Sequence, residues 1–280
     1  MTPTTQPAAG LRSGMVAVAG VPFDEYSSFI KGAAAAPAQI RAALLSDSTN
    51  LCTESGLDLA CRDGWLDIGD FVIPGGTDPI SVIESAVAQC LSGGARLLAL
   101  GGDHSTTYPI IKAYARQYPR LAILHLDAHS DLYDEFQGNR YSHACPFARI
   151  MEQGLVQRLM QAGIRTLTPQ HREQAERFGV EILEMKDWRA PLTLSFDMPL
   201  YLSIDMDALD PAFAPGVSHP EPGGFATRDV LAVIQNVRAD IVGADIVELN
   251  PALDPSRATA RVAAKFLKEI LARMLPKSGR

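Results

Sequence analysis

Cysteine is scarce in this sequence. Its four thiols, Cys52, Cys61, Cys90 and Cys145, sit far apart in 280 residues and form no C-x-x-C pair. That spacing argues against a disulfide framework and leaves buried or free thiols in a reducing compartment. Long apolar runs are missing too. No stretch approaches 18 consecutive apolar residues, so neither a transmembrane helix nor a membrane partner is expected. Positive charge is in deficit: 25 Lys and Arg against 32 Asp and Glu leave a net charge of −7, which speaks against nucleic acid and anionic membrane surfaces as partners. The opening MTPTTQPAAGLRSG lacks a basic segment followed by an apolar one, so residues 1–14 read as a disordered lead-in rather than a signal peptide. A soluble cytoplasmic protein is the expectation.

What the chain does have is apolar residues, 47% of the total, with 20% charged. That suffices for one large α/β domain or two modest ones. Short apolar runs alternate with amphipathic ones. MVAVAG (15–20), RLLALGG (96–102), LAILHLD (121–127), LMQAGI, VEIL, LYLSIDMD (200–207) and DIVGADIVEL (240–249) read as strands. Helices are predicted over 37–45, over 78–94 with Ile80, Ile83, Val87 and Leu91 on one face, over TTYPIIKAYARQY, from near Pro169, after Thr227, and from Ser256 to Leu275. Strands apolar on both faces and separated by helices imply a parallel sheet covered on both sides. No linker or internal repeat divides the chain, and low complexity is confined to AAAA at 33–36. The expected fold is α/β: a single-domain, three-layer α/β/α arrangement with a mainly parallel central sheet, one domain over residues 15–280. Functional residues of such sheets collect at the carboxyl ends of the strands.

Three of these strands end in polar clusters. LLALGGDHS carries Asp103 and His104, LAILHLDAHSD carries Asp127, His129 and Asp131, and LYLSIDMDALDP carries Asp205, Asp207 and Asp210. If the strands are neighbours, the clusters meet at one edge. Four ionised carboxylates gathered there repel one another and raise one another's pKa, so positive charge has to sit among them. Two divalent cations balance four carboxylates, and bridging Asp would hold such ions ~3.5–4 Å apart. Oxygen and imidazole donors suit Mn²⁺, Zn²⁺, Fe²⁺ or Ni²⁺, and the lack of thiolates leans away from a structural zinc. Each motif has an ordinary reading: D-x-H-x-D alone is commonly a solvated loop, and Asp205 alone a turn residue or helix cap. Three strand-end clusters of hard donors are not what capping produces. His125, inside the apolar run, reads as a hydrogen-bonded core histidine or the support of a ligand.

Together, GGDHS, DAHSD and SIDMDALDP resemble the metal-binding motifs of the ureohydrolases: arginases, agmatinases and related guanidino-acid amidinohydrolases. The resemblance runs from GVPFDEYSS (20–28) to the last helix. NRYSHACPFARIMEQG, AFAPGVSHPEPGG and VAAKFLKE look most like plant-type arginases and their bacterial relatives. It implies an arginase/deacetylase-like fold and a pair of Mn²⁺ ions, with Ni²⁺, Fe²⁺, Co²⁺ or Zn²⁺ as alternatives. His104 and Asp131 would hold one ion, His129 and Asp207 the other, and Asp127 and Asp205 both. It also implies His143 as a proton-shuttle histidine, Glu248 as the carboxylate that grips a guanidinium, and a homo-oligomer, trimeric or hexameric. One departure bears on substrate choice: GVSHPEPGG (216–224) stands where many relatives carry a loop containing G-T-G.

The implied activity is hydrolysis of a small guanidino compound to urea and an amine. A resonance-stabilised guanidinium is a poor electrophile, and two divalent ions lower the pKa of water toward neutrality. Asp131 would accept a proton and pass it to the leaving amine. Arginine is the favoured substrate, with agmatine, another guanidino acid or a small guanidine as alternatives. In the loop from Tyr133 to Ser142, Asn139 or Arg140 would meet an α-carboxylate, and Asp134 or Glu135 an amine. One rival is a deacetylase-like enzyme with a single zinc, against which His104 and the Asp205–Asp207 pair speak. The other is a non-catalytic ureohydrolase-like regulatory subunit, against which the full set of ligands, Glu248 and His143 speaks.

Overall fold

Parallel pairing follows from the alternation of strand and helix, and the computed structural model, which describes residues 10–189 and 193–276, shows it. Most of the expected lead-in, residues 1–9, lies outside the described residues. In chain order the elements are β1 (Val16–Gly20), α1 (Ala36–Leu44), β2 (Trp65–Asp70), α2 (Pro79–Ser92), β3 (Arg96–Leu100), α3 (Thr107–Gln117), β4 (Ala122–Leu126), α4 (Pro146–Glu152), β5 (Arg158–Ile164), α5 (Pro169–Phe178), β6 (Glu181–Glu184), β7 (Leu200–Asp205), α6 (Thr227–Asn236), β8 (Ile241–Val247) and α7 (Ala258–Met274). The eight strands form one sheet in the order β2-β1-β3-β8-β7-β4-β5-β6. Every pairing among them is parallel, so the mainly parallel expectation becomes an all-parallel sheet.

Alternate residues of each inner strand feed two cores. Val16, Val18, Leu98, Leu124, Leu202 and Ile246 pack with α1, α6 and α7, while Ala17, Leu97, Ile123, Tyr201 and Val242 pack with α2, α3 and α4. Strands buried on both faces read as unbroken apolar runs. The two edges differ. β2 (WLDIGD) and β6 (EILE) are partly exposed along their length, and β2, with its exposed Asp residues, was not anticipated from the sequence. Neither was α4, whose seven residues are too few to show a helical period. Among the described residues, no helix is long and apolar enough to cross a membrane.

This order positions the site. The chain runs outward through β1 and β2, returns for β3, and then leaves room beside it that β8 and β7 fill before β4. Pairings of Leu100 with Ile246, Asp205 with Val247 and Leu126 with Ile204 align the carboxyl ends of the four central strands. A sheet whose strand order reverses in this way opens a crevice at that edge.

The turn after β3 depends on glycine. A Cβ on Gly102 would overlap the Phe23 carbonyl, whose oxygen accepts from Asp103 N–H at 2.9 Å. Gly102→Ala is therefore expected to cost about 1–3 kcal/mol and to lower the thermal midpoint. Gly75→Ala, where an added Cβ meets nothing within 4 Å, should stay within about 0.5 kcal/mol of the parent. Denaturant melts of both variants check the pair, and equal stability would show that the turn tolerates a side chain.

Candidate metal centre and substrate pocket

The four central strands deliver their charged residues to one place. After β3, Gly101 and Gly102 lead into Asp103, which caps the next turn by accepting from Ser105 N–H at 3.0 Å. His104 follows, fully buried. Its Nε2 lies 3.0 Å from Ser203 Oγ, and that hydroxyl donates to Asp245 Oδ1 at 2.7 Å. With its hydrogen committed to Asp245, Ser203 accepts from Nε2–H. The lone pair of His104 is then on Nδ1, which faces Asp127 and Asp131 at 3.2 Å and Asp205 at 3.1 Å. Asp245 is held in turn by Thr107 Oγ1 and Tyr201 OH, each at 2.8 Å.

β4 supplies the second cluster. Asp127 Oδ1 accepts from His129 N–H at 2.6 Å, and its Oδ2 lies 2.7 Å from His125 Nε2. His125 has no lone pair left for an ion. Gln161 Nε2 donates to the Ser130 carbonyl at 2.6 Å, which fixes the amide, and to His125 Nδ1 at 3.0 Å, so Nε2–H of His125 points at Asp127. His125 is thus a buried support of Asp127, as its position in an apolar run suggests. β7 brings Asp205, whose Oδ1 accepts from Asp207 N–H at 2.8 Å, and Asp207, whose Oδ2 lies 3.0 Å from His129 Nδ1. Asp210 turns away and caps the 212–223 loop through Ala212 N–H and Gly223 N–H.

Electrostatics then decide what the cluster can hold. Burial, Asp207 and Asp127 hold the Asp205 carboxyl well above the usual range. Burial and Asp127 raise Asp207 to about 6. Burial opposes the charged form of His129, but Asp207 and Asp127 outweigh it and push the imidazole up to about 12. Burial also works against ionised Asp127, yet His125, His104 and His129 keep it well below the ordinary value. Protein groups alone therefore leave the facing carboxylates competing for positive charge, the condition that a divalent cation relieves. The donors are carboxylate oxygens and imidazole nitrogens without a thiolate. Ligand atoms of Asp127, His129 and Asp207 all lie within 4.8 Å of one another. The cluster fits a metal site, with room in its ligand set for two ions.

Beside it opens a cavity of about 210 Å³ lined by His129, Asp131, Asp205, Asp207, His143 and Glu248, among others. Asp131 and Glu248 adopt left-handed backbone conformations, φ 50° and 65°. Two non-glycine residues held there in one site mean that the surroundings impose the direction of both carboxylates. Glu248 Oε1 accepts from His104 N–H and is 2.8 Å from His143 Nδ1. Burial alone would raise the pKa of Glu248, and His143 reverses the sign and lowers it. Burial likewise disfavours charged His143, but Glu248 raises it to about 9.

The cavity has walls whose residues the sequence did not single out, although the 133–142 and 216–224 loops were expected near it. His219, from the 216–224 loop, places its ring 5.0 Å from that of His143, with exposed Phe29 5.7 Å beyond. Ser28, Tyr133, Phe136, Thr166 and His171 complete much of the lining. His171 also closes a capping box on α5 with Thr168. Asn139 Oδ1 accepts from Tyr141 N–H at 2.9 Å and closes the local turn, and Asn139 is not among the residues that line the cavity. Arg140 pairs with Asp134 and with Glu152, and none of the three lines the cavity.

Comparison with known proteins agrees with this geometry. The model of the arginase family matches residues 15–272. The mitochondrial arginase 1 of Arabidopsis thaliana is 46% identical over 272 residues, covering 91% of this chain and 80% of its own length. The solved arginase of Medicago truncatula superposes with a TM-score of 0.88 at 43% identity, over 94% of this chain and 88% of its own. An agmatinase of Bacillus anthracis is more distant, 34% identical over 91% of this chain and 90% of its own length. These names overturn the cytoplasmic expectation. The similar plant arginases are called mitochondrial, and a second one from Arabidopsis chloroplastic/mitochondrial, so the relatives' names are organellar, not cytoplasmic. Charge, thiol spacing and hydropathy carry no such address.

A ligand bound only by the folded chain raises stability by mass action, about 2.7 kcal/mol at a hundredfold excess over Kd. Added Mn²⁺ should accordingly raise the melting temperature in a concentration-dependent way, and chelation should reverse it. Protons compete for Asp207, whose pKa of about 6 lies above the usual value, so calorimetric affinity for the ion should weaken as pH falls through that region. A melting temperature indifferent to a series of divalent ions would rule out the metal centre.

Proposed function

Because the chain belongs to the arginase family, we propose that it hydrolyses L-arginine to ornithine and urea with manganese at the centre described above. The observation that carries this reading is the meeting of His104, Asp127, His129, Asp131, Asp205 and Asp207 at one sheet edge, with Glu248 beside them in the cavity. Identity to plant arginases exceeds that to agmatinases, which favours arginine over agmatine. His104 and Asp131 are proposed for one ion, His129 and Asp207 for the other, with Asp127 and Asp205 shared. Oxygen and imidazole donors suit Mn²⁺, and Ni²⁺, Fe²⁺, Co²⁺ or Zn²⁺ would find the same donors. A trimer or hexamer is the assembly that family membership suggests, and light scattering tests it.

When bound, such ions activate water and stabilise developing negative charge. The remaining work falls to side chains. Glu248 has Oε1 engaged by His104 N–H and His143, so Oε2 is the oxygen offered to a guanidinium. That contact turns the central carbon toward the ligand cluster and holds it near its attack geometry. Asp131, aimed by its left-handed backbone, accepts the proton released on attack and delivers it to the leaving nitrogen. Ornithine then leaves as a neutral amine that reprotonates in water. His143 exchanges protons between the site and solvent.

Urea release from arginine, agmatine and other guanidino compounds, measured across a manganese series, tests the reading. Two variants should fail differently. Asp207→Asn keeps shape but loses a charged ligand, so one ion should bind more weakly and activity should partly recover at high Mn²⁺. Glu248→Gln should keep both ions and lose about 1.5–3 kcal/mol of guanidinium binding, with no rescue by metal. Manganese rescue of the Glu248 variant would overturn its assignment. A count of one ion per chain would favour a mononuclear enzyme, and two ions without urea from any guanidino compound would favour a regulatory subunit.

A further inference from the structure

The segment after β1, Phe23–Ser28, is not explained by metal binding, yet it grips the site at three consecutive residues. The Tyr26 carbonyl accepts from His143 N–H at 3.1 Å. Ser27 Oγ donates to Asp103 Oδ2 at 3.1 Å. Ser28 Oγ lies 2.8 Å from His143 Nε2 and lines the cavity. On the other side of the ring, Nδ1 meets Glu248 Oε1 at 2.8 Å. A hydroxyl, an imidazole and a carboxylate thus stand in line, and both ring nitrogens are committed. A carboxylate oxygen only accepts, so Nδ1 carries a hydrogen and Nε2 is left as the nitrogen able to exchange one.

We propose that Ser28 is a positioning residue for proton transfer through His143, holding the ring by Nε2 and joining that nitrogen to solvent. The proposal rests on the role given to His143 above. A hydroxyl suits this place because it both donates and accepts. It donates to Nε2 when the ring is neutral and accepts from Nε2–H when the ring is an imidazolium, so one contact serves both states. Ser28 is half-buried and precedes Phe29 and Ile30, which are 67% and 37% exposed. It is therefore the member of the line nearest to solvent. Alanine would leave the His143 ring held on one side only, by Glu248 at Nδ1, and without a partner at Nε2.

The test compares Ser28→Ala with Ser28→Thr, both loaded with Mn²⁺. The alanine variant should lose about tenfold or more in kcat with KM within about twofold, since general acid–base steps contribute rate rather than ground-state binding. Added imidazole should restore part of that kcat, and the threonine variant, which keeps the hydroxyl, should stay near the parent. Nitrogen-15 NMR of the His143 ring, recorded on the protein without paramagnetic Mn²⁺, gives a readout apart from activity: the Nε2 resonance should move in the alanine variant and not in the threonine one. An alanine variant with unchanged kcat, or one whose loss neither imidazole nor threonine repairs, overturns the proposal and makes Ser28 part of the cavity wall. Absence of urea from every guanidino substrate with the parent protein would instead sink the functional reading, and this proposal with it.

Discussion

The constraint on which the rest of this structure depends is the crowding of buried carboxylates at one edge of the sheet. Asp127, Asp205 and Asp207 are all but inaccessible to solvent and face one another. Like charges at such distances do not coexist unless something compensates them. The fold answers with layers of support. His125 and Gln161 brace Asp127, Ser203 and Asp245 brace His104, and the backbone of His129 and Asp207 turns inward to donate to neighbouring carboxylates. Removal of His125 would leave the buried Asp127 carboxylate without one of its partners, which is far more costly than the loss of an exposed ion pair. The concentration of buried polar groups around these strands is the structural expression of that cost.

Much of this was legible in the sequence, for a physical reason. A strand buried on both faces must be apolar along its length, so the abrupt appearance of Asp and His at its end marks the carboxyl edge. His104, Asp127, His129, Asp131, Asp205 and Asp207 stand out in that way, together with Asp103 and Asp210, which only the family resemblance sets aside; Glu248 is named by that resemblance alone. That β3, β4 and β7 adjoin was a supposition the strand order meets in part: β7 and β4 pair, while β8 stands between β7 and β3. Elements with weak contrast were lost. β2 alternates acidic and apolar residues at an exposed edge, and α4 is short.

Side chains that act through contact alone were harder. Ser28 is one serine among many in loops, and nothing in YSSF shows that its hydroxyl reaches a histidine 115 residues away. His219 stood in a segment noted for its missing glycine pattern, and only its proximity to His143 shows that it belongs to the cavity. Asn139 shows how local demands bear on a loop amide: its Oδ1 is taken by Tyr141 N–H, two residues on. Local backbone donors compete with ligands for Asn side chains, and adjacency in sequence does not reveal which one wins.

The strand order also governs how the molecule comes into being on the ribosome. β3 and β4 are separated in the finished sheet by β8 and β7, the last two strands to be synthesised. Without β7 and β8 the other six strands would fall into two groups, β2-β1-β3 and β4-β5-β6, with no common crevice. Insertion of the late pair joins the halves and in the same step brings His104 to Asp205 and Glu248. Sequence separations of this size make such closure slow and expose apolar edges meanwhile. A chain without β7 and β8 would lack Asp205, Asp207 and Glu248 together, and with them the strands that bring His104 to the Asp127 cluster.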